Sequence, residues 1–164
     1  MANRIFVSVE EGLSEPEWLE KIEPYMQKVL EKVGYDQEEI SVMFCTDSFI
    51  QELNKNYRKI DAPTDVLSFE NGEEYTDEEG NWFSAGDIVI SLETLPKNAE
   101  YFEVDKNTEL KRLLIHGLLH LNGMDHGDEH IEKGVAPSGE MLVLQEKVLS
   151  ELADEILIKL KERN

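Results

Sequence analysis

All four histidines of the chain, His116, His120, His126 and His130, fall within fifteen consecutive residues of a 164-residue sequence. On a helix, residues four apart share a face and lie about 6 Å apart along the axis, so His116 and His120 would offer their rings side by side to one ion. Gly123 suits a left-handed stop to that helix, after which the chain can turn back and bring His126 to the same point. Three neutral imidazoles around Zn²⁺ leave a fourth position open for water, the arrangement of catalytic zinc sites; the spacing fixes no fourth Cys or acid for a structural one. The bland alternative, two polar residues on the exposed side of a leucine-rich helix, is disfavoured because histidines buried among leucines need a partner. His130 follows two acids in a predicted loop and reads as a surface histidine rather than a fourth ligand. Asp125 either supports an imidazole from behind or caps the turn.

The elements that must position these residues are legible in outline. RIFVSV, residues 4–9, alternates as a strand does. Ser14, Pro16 and Glu17 form a capping-box start for a helix running to about Val33, kinked or split at Pro24. Residues 39–45 read as a second strand, after which Thr46, Asp47 or Ser48 can cap a helix carrying Phe49, Ile50, Leu53 and Tyr57 and ending near Arg58. Pro63 breaks structure before a short strand, VLSF. The acidic segment 70–82, with Asn71, Gly72 and Gly80, reads as an exposed connection. GDIVISL, residues 86–92, has the near-continuous apolar centre of a strand buried on both faces, and a helix follows through Glu93 to Tyr101, interrupted or begun by Pro96. From Asn107 or Thr108 to Asn122 a helix is apolar almost all round, which predicts a central buried helix. A charged, glycine-containing loop, 127–137, precedes a long amphipathic C-terminal helix or two shorter ones. Interleaved strands and helices predict an α+β fold: one domain over residues 1–164, with a roughly four-stranded mixed sheet packed against helices.

Composition bounds the function. The length suffices for one real core, and no apolar run approaches the roughly 18 residues of a membrane span. The opening residues lack the apolar stretch and cleavage site of a signal peptide, so a cytoplasmic location is expected. The single cysteine, Cys45, sits in an apolar strand and reads as packing. A net charge of −20 would repel a polyanion at long range. A phosphate-bearing substrate would therefore have to be caught by a local basic cluster or by bound metal.

Written as His-x3-His-x2-Gly-x2-His, residues 116–126 match the metzincin protease pattern except that Gly117 stands where those enzymes keep a glutamate. That base matters for peptide hydrolysis, where general acid–base help is worth roughly 10² to 10⁴ in rate. A phosphodiester can manage with a metal and a cationic side chain. Here the chain resembles a known family, the YbeY endoribonucleases. HGLLHLNGMDH is similar to their signature H-G-x-L-H-L-x-G-[YF]-D-H, with Met124 where an aromatic is usual. LNKNYRKIDAPTDVLSFE resembles their second signature, GDIVIS their strand before the metal helix, and EMLVLQEKVL their closing helix. These blocks span residues 53–149 in the family's order.

The resemblance implies a zincin-like domain whose central buried helix binds one Zn²⁺ per chain through His116, His120 and His126. It also implies an endoribonuclease acting on rRNA in maturation and ribosome quality control, with a metal-bound hydroxide as nucleophile or base. On this reading Arg58 is catalytic and lies beside the metal, where its planar fork could hold two phosphate oxygens. Without the resemblance it is equally a helix-end residue favoured by the helix dipole. Lys55, Lys59 and Lys111 lie near these motifs. Arg112, on the face of His116, either extends a basic path or salt-bridges one of the many acids. Thr64, Asp65 and Ser68 read as loop caps and strand packing. Partners implied are rRNA and a ribosomal protein or ribosome-associated GTPase, with no membrane. The competing readings are a zincin-like peptidase or amidase lacking the glutamate base, and a metal-stabilised binding module on the ribosome.

Overall fold

The computed structural model describes residues 2–127, 130–132 and 134–159. Four strands, β1 (Arg4–Val9), β2 (Glu38–Cys45), β3 (Val66–Asp77) and β4 (Gly80–Ser91), form one mixed sheet in the order β1-β2-β4-β3. β1 and β4 both run parallel to β2, and β3 pairs antiparallel with β4 at the edge. With them, among the described residues, are five α-helices: α1 (Ile22–Val33), α2 (Asp47–Arg58), α3 (Thr94–Tyr101), α4 (Lys106–Leu121) and α5 (Glu140–Glu151). The α+β expectation with four strands therefore holds.

Alternation along the strands decides what packs where. Ile5, Ile40, Val42, Phe44, Ile88 and Ile90 point to one face and join residues of α1, α4 and α5 in the main core. Cys45, Leu67 and Val89 point to the other, where Ile50, Phe49 and Leu53 of α2 cover them. Eleven of the sixteen residues of α4 are buried, as the all-round apolar sequence requires. Asp105 caps it by accepting from Thr108 N at 2.6 Å. The cap thus precedes Asn107 and Thr108, and Asn107 instead accepts from the backbone of Leu157 at 2.6 Å. α2 begins as expected, with the Thr46 hydroxyl accepting from Phe49 N at 3.2 Å.

Three expectations need correction. Segment 70–82 is not a loop: β3 and β4 are twelve residues each and form a hairpin whose turn lies between Asp77 and Gly80. Most of that hairpin is solvent-exposed on β3, so no apolar alternation announced it. Asn71 and Gly72 mark a shift of register between Glu70 and Glu73 instead of a turn. Gly86 lies opposite Glu70 with φ 139°, and a Cβ there would fall 2.0 Å from the Phe69 carbonyl oxygen; only glycine permits this approach. Secondly, Ser14 and Pro16 do not start a helix; a 3₁₀ turn at Leu19–Lys21 leads into α1, and Pro24 sits harmlessly in its first turn, where no amide partner is lost. Thirdly, the C-terminal helix stops at Glu151, and the chain up to 159 continues as turns and bends; residues 160–164 lie outside the described residues. Buried Lys111 explains how that tail is held: its ammonium donates to the carbonyls of Leu152, Ala153 and Glu155. It is a clamp on the tail, and no part of a basic path.

Candidate metal centre

His116 and His120 stand one turn apart near the end of α4, and their Nε2 atoms approach to 3.1 Å. Met124 N reaches back to the Leu119 carbonyl at 3.1 Å, and Gly123 adopts φ 86°, so the chain reverses at once after α4. That reversal brings the His126 ring to 5.3 Å from the rings of both His116 and His120, centre to centre. One nitrogen from each of the three rings lies within 4.8 Å of the others, a group that could hold a metal ion. The donor set suits a divalent ion of intermediate softness. His130 is exposed, its ring 5.7 Å from that of His126, and it is not one of the three. Asp125 takes the turn-capping alternative, accepting from Gly127 N at 3.0 Å. Of the 127–137 loop, residues 128, 129 and 133 lie outside the described residues.

Protonation favours ligation. Burial lowers the pKa of His116, and burial followed by the neighbouring His116 and His126 rings brings His120 down to about 4. Both rings are therefore neutral at pH 7, as a metal ligand must be. His116 is held from behind: its Nδ1 lies 2.7 Å from Gln145 Oε1 of α5.

The three rings open into a cleft of about 610 Å³ between α4, α5 and β3, and Arg58 at the last turn of α2 lines the same cleft. Arg58 is exposed, and Lys59 after it takes a left-handed cap with φ 63°. The structure thus brings Arg58 and the three histidines to one cavity. Lys55 and Lys59 are exposed outside it. Arg112 also lines the cleft but is engaged, by Glu109 at 2.9 Å and by both oxygens of Glu146 at 3.1 Å. Of its two readings, the salt bridge is the one the structure has. Glu109 is almost fully buried, and burial pushes its carboxyl up to about 7 in spite of Arg112.

Asp65 takes a loop-capping part, accepting from Val66 N at 2.7 Å and from Asn98 at 2.7 Å. Ser68 Oγ reaches the Gly117 carbonyl at 3.5 Å. With Thr64, these residues line the cleft. Gln145 and Glu146 went unrecognised in the sequence, although Gln145 interrupts the buried stripe Met141, Leu142, Val148 and Leu149, and a polar residue there signals a partner.

Gly117 explains why the protease glutamate is missing. Its α-carbon faces the sheet, and a Cβ would lie 2.7 Å from Ile88 Cγ2. A longer side chain at 117 would strike β4, away from the cleft, so a carboxylate there could not serve the histidines.

Comparison with known proteins agrees with this geometry. A model of the family described as endoribonuclease YbeY matches residues 6–153. The endoribonuclease YbeY of Treponema denticola is 55% identical over 130 residues, covering 79% of this chain and 80% of the relative. That of Treponema pallidum is 47% identical over 150 residues, covering 91% and 89%. The solution structure of a Thermotoga maritima protein superposes with a TM-score of 0.60 at 29% identity, covering 92% of this chain and 89% of that one.

Proposed function

The chain belongs to the YbeY endoribonuclease family, and from that premise we propose that it is a zinc-dependent, zincin-like hydrolase, one domain over residues 1–164, that cleaves rRNA during maturation and ribosome quality control. The observation that carries the reading is the convergence of three imidazoles and one exposed guanidinium on a single cleft.

His116 and His120 of α4, with His126 after it, would hold the ion. When bound, zinc supplies a Lewis acid for a phosphoryl oxygen and acidifies water near neutrality. Arg58 donates two N–H groups to non-bridging phosphate oxygens and stabilises the charge that develops there. Asp65, bonded to Val66 N and Asn98, and Ser68, bonded to the Gly117 carbonyl, would keep the cleft lining in place. Glu70 and Asp125 also line the cleft, and their negative charge would disfavour phosphate away from Arg58 and the ion. A partner on the ribosome, a ribosomal protein or GTPase, would supply the attraction for RNA that an acidic surface lacks.

The peptidase reading loses its support at Gly117, which faces Ile88. The two are separated by incubating zinc-loaded protein with structured rRNA fragments and with casein, each with a chelator control. The expected result is chelator-sensitive RNA cleavage with intact casein; casein cleavage with intact RNA would overturn the proposal.

A further inference from the structure

Behind His116 runs a single chain of hydrogen bonds between α4 and α5. The Arg112 guanidinium donates from Nε and Nη2 to the two carboxylate oxygens of Glu146, and from Nη1 to Glu109. Glu146 Oε2 accepts a further bond from Gln145 Nε2 at 3.1 Å. Gln145 Oε1 then lies 2.7 Å from His116 Nδ1. Gln145 is only 1% exposed, so water cannot substitute for these partners.

An amide has one end that accepts and one that donates, and a carboxylate only accepts. Glu146 therefore fixes which way Gln145 lies. Its NH₂ must face Glu146, because the reversed amide would set two acceptors 3.1 Å apart in a half-buried site. The carbonyl is left facing His116, and a neutral imidazole that meets only an acceptor at Nδ1 must carry its proton there. The lone pair is then on Nε2, the atom 3.1 Å from His120 Nε2.

We infer that Gln145, aimed by Glu146 and Arg112, is a positioning residue that locks His116 in the Nδ1–H tautomer and so presents Nε2 to a divalent ion. The inference rests on the three histidines being a metal site, and it gives Arg112 and Glu146 a task that needs no contact with substrate. Outer hydrogen bonds of this kind are commonly worth about 10- to 100-fold in metal affinity.

The direct test is the imidazole ¹⁵N spectrum of the metal-free wild-type protein at pH 7.5, which needs no variant and no activity. His116 is expected with Nδ1 protonated and Nε2 bare; the opposite tautomer overturns the inference. Gln145→Met keeps the volume and removes the acceptor. Competition with a chromogenic chelator is expected to show zinc bound about 10- to 100-fold more weakly, with both His116 tautomers populated. Affinity within twofold of wild type, with the tautomer unchanged, would reduce Gln145 to packing. Glu146→Gln leaves every atom of Gln145 in place but frees its orientation, so mixed tautomers are expected there too, and this variant carries the test if Gln145→Met does not fold. Wild-type protein that binds no zinc while showing the Nδ1–H tautomer would strike at the metal-site reading itself, a result distinct from the wrong tautomer.

Discussion

At the scale of single residues, each group around the cleft can be assigned a separate observable. Arg58 lies at a helix end with no buried contacts to lose, so Arg58→Ala should leave zinc content and melting temperature unchanged. RNA turnover should fall by roughly 10²-fold or more, as when a donor to developing charge is removed, and Arg58→Lys should recover little of it because the fork is lost. Unchanged turnover in single-turnover assays would remove Arg58 from the chemistry. His120→Ala should abolish tight zinc binding, read by elemental analysis. The pH dependence of stability follows from two opposed shifts. His120, lowered to about 4 from an unfolded value near 6.5, leaves the unfolded chain binding more protons in that window. Stability of the metal-free protein is therefore lost as pH falls from about 6.5 towards 4, and lowered His116 acts the same way. Glu109, raised to about 7 from 4.5, does the reverse, its contribution being lost as pH rises through that range; Glu38, also raised by burial, has the same sign. Urea midpoints should thus rise between pH 4 and 6.5 more steeply in Glu109→Gln than in wild type, and less steeply in His120→Gln. Parallel profiles would show that neither group titrates as its surroundings require.

At the scale of elements, what was legible and what was not divide along one physical line. The helix of the histidines, the caps at Thr46 and Gly123, and the buried strand at 86–91 write themselves in local pattern, because each buries a face or turns the chain with a residue suited to it. The hairpin of β3 and β4 did not, since its outer half buries little; it is held instead by Arg4 from β1, which bonds to Asp77 at 2.7 Å and Glu79 at 2.8 Å and lies 3.7 Å over the Trp82 ring. A sequence read segment by segment cannot see a partner seventy residues away. The same holds for Gln145, whose meaning depends on His116 in another helix. The seat of α4 on the sheet is set by Gly117. Adding one methyl group, Gly117→Ala, should destabilise by up to about 2 kcal/mol: overpacking costs roughly 1–3 kcal/mol, and better helix propensity returns about 1. Combining it with Ile88→Ala, which removes the γ-carbons that the new methyl meets, should cost less than the two single changes added together, and strictly additive urea midpoints would contradict the contact with Ile88. Gly117→Glu should unfold the protein more severely and yield no peptidase activity.

At the scale of the whole molecule, charge and sheet order dominate. No helix among the described residues is long and apolar enough to cross a membrane. If phosphate is gripped, as proposed, through Arg58 and one bound ion, a protein of net charge −20 should release few counterions on binding RNA. The logarithm of RNA affinity should therefore fall with the logarithm of salt concentration with a slope of only about −1 to −2. A slope several times steeper would reveal a basic surface that the cleft does not contain. Cys45 plays no part in this traffic; it is fully buried, and burial pushes its thiol up to about 12. The turn at Gly123 has one more effect, felt before the protein is folded at all. It is short enough that three nitrogen donors fall within eleven consecutive residues, so a denatured chain should already offer them together to an ion. An ion held by the denatured ensemble as well as by the native one raises the melting point less than its native affinity would suggest. Zinc titrated into the chain in strong urea should accordingly still bind, and be lost with His120→Ala, so that loading need not wait for strands forty residues apart to find each other.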